Sequence, residues 1–186
     1  GDATYVILPH MLMELDCVLP YAGPSYFLGS LAEPLSCVVG TFHAMYHTTA
    51  GSYVHHMGIV EGGNAAILAG VGPMGMGAID YAINNPDRRP GRLVVTDINQ
   101  ERLDRAAMLY TVEHAKKNGV ELHYLNTRDL EDADSVLMEL SNGEGYDDVF
   151  VMAPVRALIE QADAILAKDG CLNFFAGPER TDFTAS

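Results

Sequence analysis

The chain is 186 residues long, and its 11 Lys and Arg against 25 Asp and Glu leave a formal net charge of −14. Duplex nucleic acid and anionic membrane surfaces are thereby excluded as partners, because both demand clustered cations to displace counterions. A hydrophobic share of 48% with 19% charged residues is that of a core-forming globular chain, and the length suits one domain of ordinary size, or one domain with a remnant of another.

Cys17, Cys37 and Cys171 are odd in number, widely spaced and without a C-x-x-C pair. A reducing, cytoplasmic setting and buried packing are expected of them, not a disulfide framework. No stretch approaches the roughly 20 continuous apolar residues of a membrane-crossing helix. Gly1-Asp2-Ala3-Thr4 has neither the basic nor the apolar region of a signal peptide, and Gly1 in place of Met reads as a trimmed start.

Thr4 to Pro9 reads as a short β-rich segment ended by proline, and Pro20, Gly23 and Pro24 punctuate the stretch after it. Leu31, Leu35, Val38, Val39, Phe42, Met45 and Tyr46 recur every three or four residues and predict one apolar helix face, with Pro34 in the first turn. Gly51 to Gly63 reads as a connector.

From Asn64 the chain alternates strand and helix. Ala65 to Ala69 is an apolar run suited to a strand buried on both faces. Gly70 to Gly75 is a turn, Met74 to Asn84 a helix, and Arg92 to Asp97 a second strand. Asn99 is a fair N-cap for a helix running to about Lys117. Val120 to Leu125, Asp148 to Ala153 and Cys171 to Phe175 are three further strands, separated by helices over Leu130 to Leu140 and Ala157 to Leu166. Strands spaced by such helices predict parallel βαβ units and a doubly wound α/β sheet. A six-stranded dinucleotide fold needs one more strand than the run ending at Thr181-Asp182-Phe183-Thr184-Ala185-Ser186 supplies, so both ends read as cut.

Gly70-Val71-Gly72-Pro73-Met74-Gly75 is G-x-G-x-x-G, placed after a buried strand, before a helix, and with Gly75 22 residues ahead of Asp97. In that context Gly70 permits the tight turn, Gly72 lets backbone approach a pyrophosphate, and Gly75 lets helix and strand pack closely. The helix N-terminus that opens at Pro73-Met74-Gly75 offers free N–H donors, none of them from the proline, and a positive dipole end to the anion. Asp97 can accept from both ribose hydroxyls and would repel a 2′-phosphate, which Ile98 and Asn99 do not offset, so NAD is favoured over NADP; Arg102 pulls the other way. Ala153 and Ala176-Gly177-Pro178, just after the last two strands, are small enough to let a nicotinamide lie against the backbone, and plain loop closure accounts for them equally well.

Other features have plainer readings. His43 and His47, four apart on the predicted helix, lack the rest of a zinc pattern and are expected to be solvent-facing or hydrogen-bonded. Met11, Met13, Met74 and Met76 read as core filler. Glu33 suits a helix first turn through the dipole alone.

The runs Glu33-Pro34-Leu35-Ser36-Cys37, Leu68 to Gly75 and Val95-Thr96-Asp97 together resemble the medium-chain dehydrogenase superfamily, and more closely its zinc-dependent polyol and sugar-phosphate branch. The resemblance implies a Rossmann fold over residues 31–186, truncated before its last strand, preceded over residues 1–30 by a remnant of a GroES-like catalytic domain. It implies that Glu33 stands at the catalytic zinc, that Cys37 faces the nicotinamide, and that hydride passes between NAD and an alcohol or sugar-type substrate whose oxygen zinc polarises. The family's other zinc ligands lie upstream of anything present, so the isolated chain is expected to bind dinucleotide without turning over. A homo-oligomer is implied for the full-length form. The links Asn84 to Gly91 and Asn126 to Asp134 are longer than usual in the family. Two other classes stay in view: a non-catalytic NAD(H)-sensing module, and an S-adenosylmethionine-dependent methyltransferase, whose cofactor has no pyrophosphate.

Overall fold

The structure is a computed structural model, and residues 4–177 are described here. Gly1 to Ala3, Pro178 and the Thr181 to Ser186 run lie outside the described residues. The chain divides into two units, Gly1–Glu33 and Pro34–Ser186.

The first unit holds two short helices, α1 (His10–Glu14) and α2 (Tyr26–Ser30), neither with a buried residue. The Ser25 hydroxyl caps α2 by accepting from the Leu28 amide at 3.3 Å. The expected strand over Thr4 to Pro9 does not form: no neighbouring strand completes a ladder with it, and Tyr5 and Ile7 are 92% and 95% exposed. Cys17, Met11 and Met13 are likewise exposed, against the expectation of buried packing, because this unit offers no apolar layer to receive them.

Helix α3 (Ala32–Ala44) carries Pro34 in its first turn, where a missing N–H leaves no helical bond unmade. It buries Val38 and Phe42, while Leu35 and Cys37 are exposed. The apolar period predicts helix through Tyr46, but the helix stops at Ala44 and Tyr46 opens a hairpin. Strand β1 (Tyr46–Thr48) pairs antiparallel with β2 (His55–Met57), inside the segment expected to be only a connector. His43 and His47 therefore do not share a helix face.

The main sheet has the order β5-β4-β3-β6-β7, every pair parallel. Its strands are β3 (Asn64–Leu68), β4 (Arg92–Asp97), β5 (Glu121–Asn126), β6 (Tyr146–Val151) and β7 (Leu166–Asn173). This is the doubly wound arrangement expected from the alternation of elements. Strand β3 shows why its run is uninterrupted: Ala65 and Ile67 pack into one core with α3, α4 (Pro73–Asn84), α5 (Gln100–Leu109) and α6 (Val112–Lys117), while Ala66 and Leu68 pack into the other with α7 (Ala133–Leu140) and α8 (Arg156–Ala164). Phe42 of α3 stacks on Phe150 of β6 with centroids 4.5 Å apart.

Two boundaries differ for identifiable reasons. The helix expected from Asn99 to Lys117 breaks at Tyr110, whose carbonyl accepts the Tyr124 hydroxyl at 2.9 Å, and the Thr111 hydroxyl starts α6 by accepting from the His114 amide at 3.1 Å. Strand β7 begins at Leu166, ahead of the expected Cys171, because a register shift opposite Tyr146 to Asp148 takes up the extra residues.

The hairpin is tied to the sheet by a buried histidine–carboxyl hydrogen bond. His47 Nδ1 lies 3.2 Å from the Asp169 carbonyl, and Nε2 lies 2.9 Å from Asp148 Oδ1; Asp148 Oδ2 accepts from the Val60 amide at 2.8 Å. A carbonyl only accepts, so Nδ1 carries a proton, and the Nε2 bond needs one proton between imidazole and carboxyl. Burial pushes the Asp148 carboxyl up from its ordinary value, the Val60 amide and His47 partly opposing it. A group whose folded pKa is raised contributes stability at low pH that is lost as pH rises through the raised value. The Asp148 contribution to stability is therefore expected to fall as pH rises above about 4, and Asp148→Asn, which removes this titration, should show a less negative slope of melting temperature with pH than the wild type. Thermal melts of both proteins across this range check it; equal slopes would refute the assignment. His47→Ala strands a buried carboxylate and should cost about 3 kcal/mol in urea unfolding.

Candidate functional site

In a parallel sheet all strand carboxyl ends face one edge, and here the chain reverses direction across the sheet between β3 and β6. The glycine turn leaves β3 at that reversal. Ala69 takes a left-handed φ of 53°, and the Gly70 amide then donates to the Thr96 carbonyl at 2.8 Å, fastening the turn to the end of β4. A Cβ on Gly70 would fall 2.7 Å from Ile67 Cγ2 and 2.9 Å from the Ile67 carbonyl oxygen. On Gly75 it would fall 2.1 Å from the Gly70 carbonyl oxygen. Both positions admit only glycine, for the reason of close approach expected from the motif.

Gly72 is different. It is the N-cap of α4, with no side-chain cap and with Pro73 as the first helical residue, and a Cβ there would meet nothing within 4 Å. That open space lies directly on the backbone, at a helix start whose first-turn amides have no helical acceptor. Met76, the first amide with a helical partner, donates to the Gly72 carbonyl at 2.9 Å. Pro73 is exposed, and Met74 is half-buried against the core. An anion of pyrophosphate size fits this cradle on chemistry: unpaired N–H donors, a positive helix end and no Cβ in the way.

Asp97 closes β4. Its Oδ1 accepts from the Ile98 amide at 2.8 Å and the Asn99 amide at 3.0 Å, and the Asn99 side chain caps α5 through the Arg102 amide at 3.1 Å. The carboxylate is thus held rigidly at the edge, with Ile98 beside it 59% exposed. Across the switch point, the Met152 amide donates to the Leu68 carbonyl at 3.0 Å, which brings Ala153 beside the glycine turn. The Ala176 amide donates to the Val151 carbonyl at 3.3 Å, and Gly177 follows with a left-handed φ of 62°. Main-chain bonds therefore gather Gly70, Gly72, Pro73, Met74, Gly75, Asp97, Ile98, Ala153, Ala176 and Gly177 along one edge.

Glu33 lies in the first turn of α3, at the end of the other unit. Among the described residues no three His, Cys, Asp or Glu side chains are grouped to hold a metal ion. The residues present thus do not by themselves fit a catalytic zinc, which takes three protein ligands. No helix among them is long and apolar enough to cross a membrane.

One residue at the edge escapes a reading of motifs. Arg128, in the link after β5, donates from Nε to the Ile98 carbonyl at 2.7 Å. The signal for it was available in the sequence: a lone cation at the start of the acidic stretch from Asn126 to Asp134.

The sequence profile of the zinc-binding dehydrogenases matches residues 73–185, more than half of the chain. The chain belongs to the zinc-binding dehydrogenase family. It is 56% identical over 183 residues to mannitol-1-phosphate 5-dehydrogenase of Aliivibrio fischeri, covering 98% of this chain and 43% of that protein. It is 48% identical over 185 residues to L-sorbose 1-phosphate reductase of Klebsiella pneumoniae, covering 100% of this chain and again 43% of the relative. The chain thus spans less than half the length of these relatives. The fold matches that of a Sinorhizobium meliloti protein solved with NADP bound, at a TM-score of 0.61 and 15% identity over 85% of this chain and 39% of that one. As in that family at large, the α/β sheet is the dinucleotide-binding architecture of medium-chain dehydrogenases.

The glycine geometry makes a paired prediction. Gly75→Ala, which drives a methyl into the Gly70 carbonyl, is expected to cost more than about 3 kcal/mol. Gly77→Ala in the same helix, whose Cβ would have its nearest neighbour at 3.5 Å, is expected to stabilise by about 0.5 kcal/mol through helix propensity. Urea unfolding of the two variants checks both signs.

Proposed function

We propose that residues 31–186 are the NAD(H)-binding domain of an oxidoreductase that interconverts an alcohol and a carbonyl by hydride transfer, with residues 1–30 the remnant of its catalytic domain. The observation that carries this is the open, Cβ-free cradle at Gly72 on the start of α4, with Asp97 fixed at the end of the adjacent strand. Gly70, Gly72, Met74 and Gly75 line the pyrophosphate position, and Pro73 sets the helix start. Asp97 takes the adenosine ribose hydroxyls and Ile98 borders the adenine. Ala153, Ala176 and Gly177 leave room for the nicotinamide.

NAD is the preferred cofactor. Asp97 Oδ1 already occupies the Ile98 and Asn99 amides, which removes the backbone donors a 2′-phosphate would use, and its charge repels that group. The substrate class is a polyol or sugar phosphate, supported by the names of the two relatives, a mannitol-1-phosphate dehydrogenase and a sorbose 1-phosphate reductase. When bound, nicotinamide supplies the hydride acceptor or donor, and the residues of this chain hold and orient it. Glu33 is a zinc-site residue only where a longer protein brings the remaining ligands, so the isolated chain binds cofactor without turning over. The whole enzyme is a homo-oligomer of the cytoplasm, a setting that suits three unbridged cysteines.

Fluorescence or calorimetric titration with NADH, NADPH and S-adenosylmethionine separates the classes. NADH is expected to bind tightest, and Asp97→Ala to weaken it about tenfold or more, the loss of hydrogen bonds to a charged group. Tighter binding of S-adenosylmethionine than of either nicotinamide would sink the reading. An Asp97→Ala protein that binds NADH as well as the wild type would remove the ribose role.

A further inference from the structure

The strongest feature not absorbed above lies at the outer end of the edge, where β4 and β5 finish side by side. Asp97 and Asn126 are register partners, and the chain beyond β5 is strapped to the end of β4. The Thr127 amide donates to the Asp97 carbonyl at 3.0 Å, the Arg128 amide to its neighbour Asn126 Oδ1 at 3.0 Å, and the Asn126 side-chain amide to Gln100 at 2.9 Å on α5. These bonds fix the backbone from which the Arg128 side chain reaches back over β4.

That side chain is anchored at one point. Its Nε donates to the Ile98 carbonyl at 2.7 Å, and its two Nη groups make no hydrogen bond or ion pair among the described residues. Arginine is planar, so a bond at Nε restricts the orientation of the whole guanidinium. The edge beside Asp97 thus has two exposed surfaces of different kind: a planar cation from Arg128 and the aliphatic side chain of Ile98, 59% exposed. A purine suits this combination, because one face can stack on a guanidinium and the other pack on an alkyl group. A phosphate is the poorer occupant. Asp97 stands next to the same carbonyl with a negative charge, and its Oδ1 consumes the two adjacent amides.

We propose that Arg128 is a binding residue for the adenine of the dinucleotide: its tethered guanidinium and Ile98 form the two walls of the adenine slot. The inference rests on the NAD(H)-binding reading above and adds to it a residue and the part of the cofactor it recognises. Arg128 acts by planar stacking, and its charge serves the adenine face, not a 2′-phosphate.

The test compares NADH, NADPH and ADP-ribose binding to the full 186-residue chain and to Arg128→Ala and Arg128→Lys. Arg128→Ala is expected to weaken NADH and ADP-ribose by the same factor, about three- to tenfold, the range of an exposed to partly desolvated cation–π contact. Arg128→Lys should fail to restore either, since an ammonium keeps the charge without the plane. Unchanged melting temperatures in both variants show that the loss is local, as expected for an exposed side chain. Wild-type NADH affinity in Arg128→Ala, full rescue by lysine, or a loss confined to NADPH each overturns the proposal. A wild-type chain that binds no NADH fails the reading of function and this inference together. A chain that binds NADH and weakens on Asp97→Ala, yet ignores both Arg128 variants, fails this inference alone.

Discussion

The structure depends on one close contact, the first turn of α4 against the carbonyl of Gly70. A Cβ at Gly75 would sit 2.1 Å from that oxygen, so helix and turn meet at backbone distance or not at all. Because they meet, α4 lies down along β3 and buries Ala78, Ile79, Ala82 and Ile83 against it. Because α4 starts there, its unpaired amides stand at the sheet edge. The same turn donates from Gly70 to Thr96 and so fixes where β4 ends, which in turn fixes Asp97. Helix packing, the open helix start and the placing of Asp97 follow from one missing methyl group.

The two edges of the sheet are held by different chemistry. At the amino edge, side chains do the joining: Asp147 accepts from the Asn64 amide at 2.8 Å, Asp148 takes Val60 and His47, and Glu61 accepts from the Arg89 amide at 2.9 Å. At the carboxyl edge the strands around the switch point are joined main chain to main chain, from Gly70 to Thr96, Met152 to Leu68 and Ala176 to Val151, and side chains of Asp97, Asn126 and Arg128 tie only the outer end. The net charge of −14 says nothing of this partition, since the one anion the fold suits is met by amides and a helix end.

The sheet was legible in the sequence because its strands are buried on both faces and must be apolar without interruption, as Ala65 to Leu68 and Leu93 to Val95 are. The glycine motif was legible because sterics leave it no substitutes at Gly70 and Gly75. What escaped depends on partners distant in sequence. Nothing near Tyr110 announces that Tyr124 will take its carbonyl and break the helix, and nothing near His47 announces Asp148, 101 residues away. The segment from Thr4 to Pro9 has strand composition, but a strand is a property of a pair, and composition cannot supply the second member. Arg128 was missed for a related reason. The lone cation of its stretch is visible in the sequence, but the carbonyl that tethers it, 30 residues away, is not.

The main-chain construction of the carboxyl edge has an evolutionary corollary. A frame made of amides and carbonyls survives replacement of almost every side chain it carries, provided the glycines stay. That is how a protein 15% identical to this one can share its fold at a TM-score of 0.61. The fittings on the frame are few, chiefly a carboxylate after one strand, an aliphatic side chain beside it and a cation after the next. Side chains at these tips can therefore change through single substitutions, while the architecture that presents them stays constant.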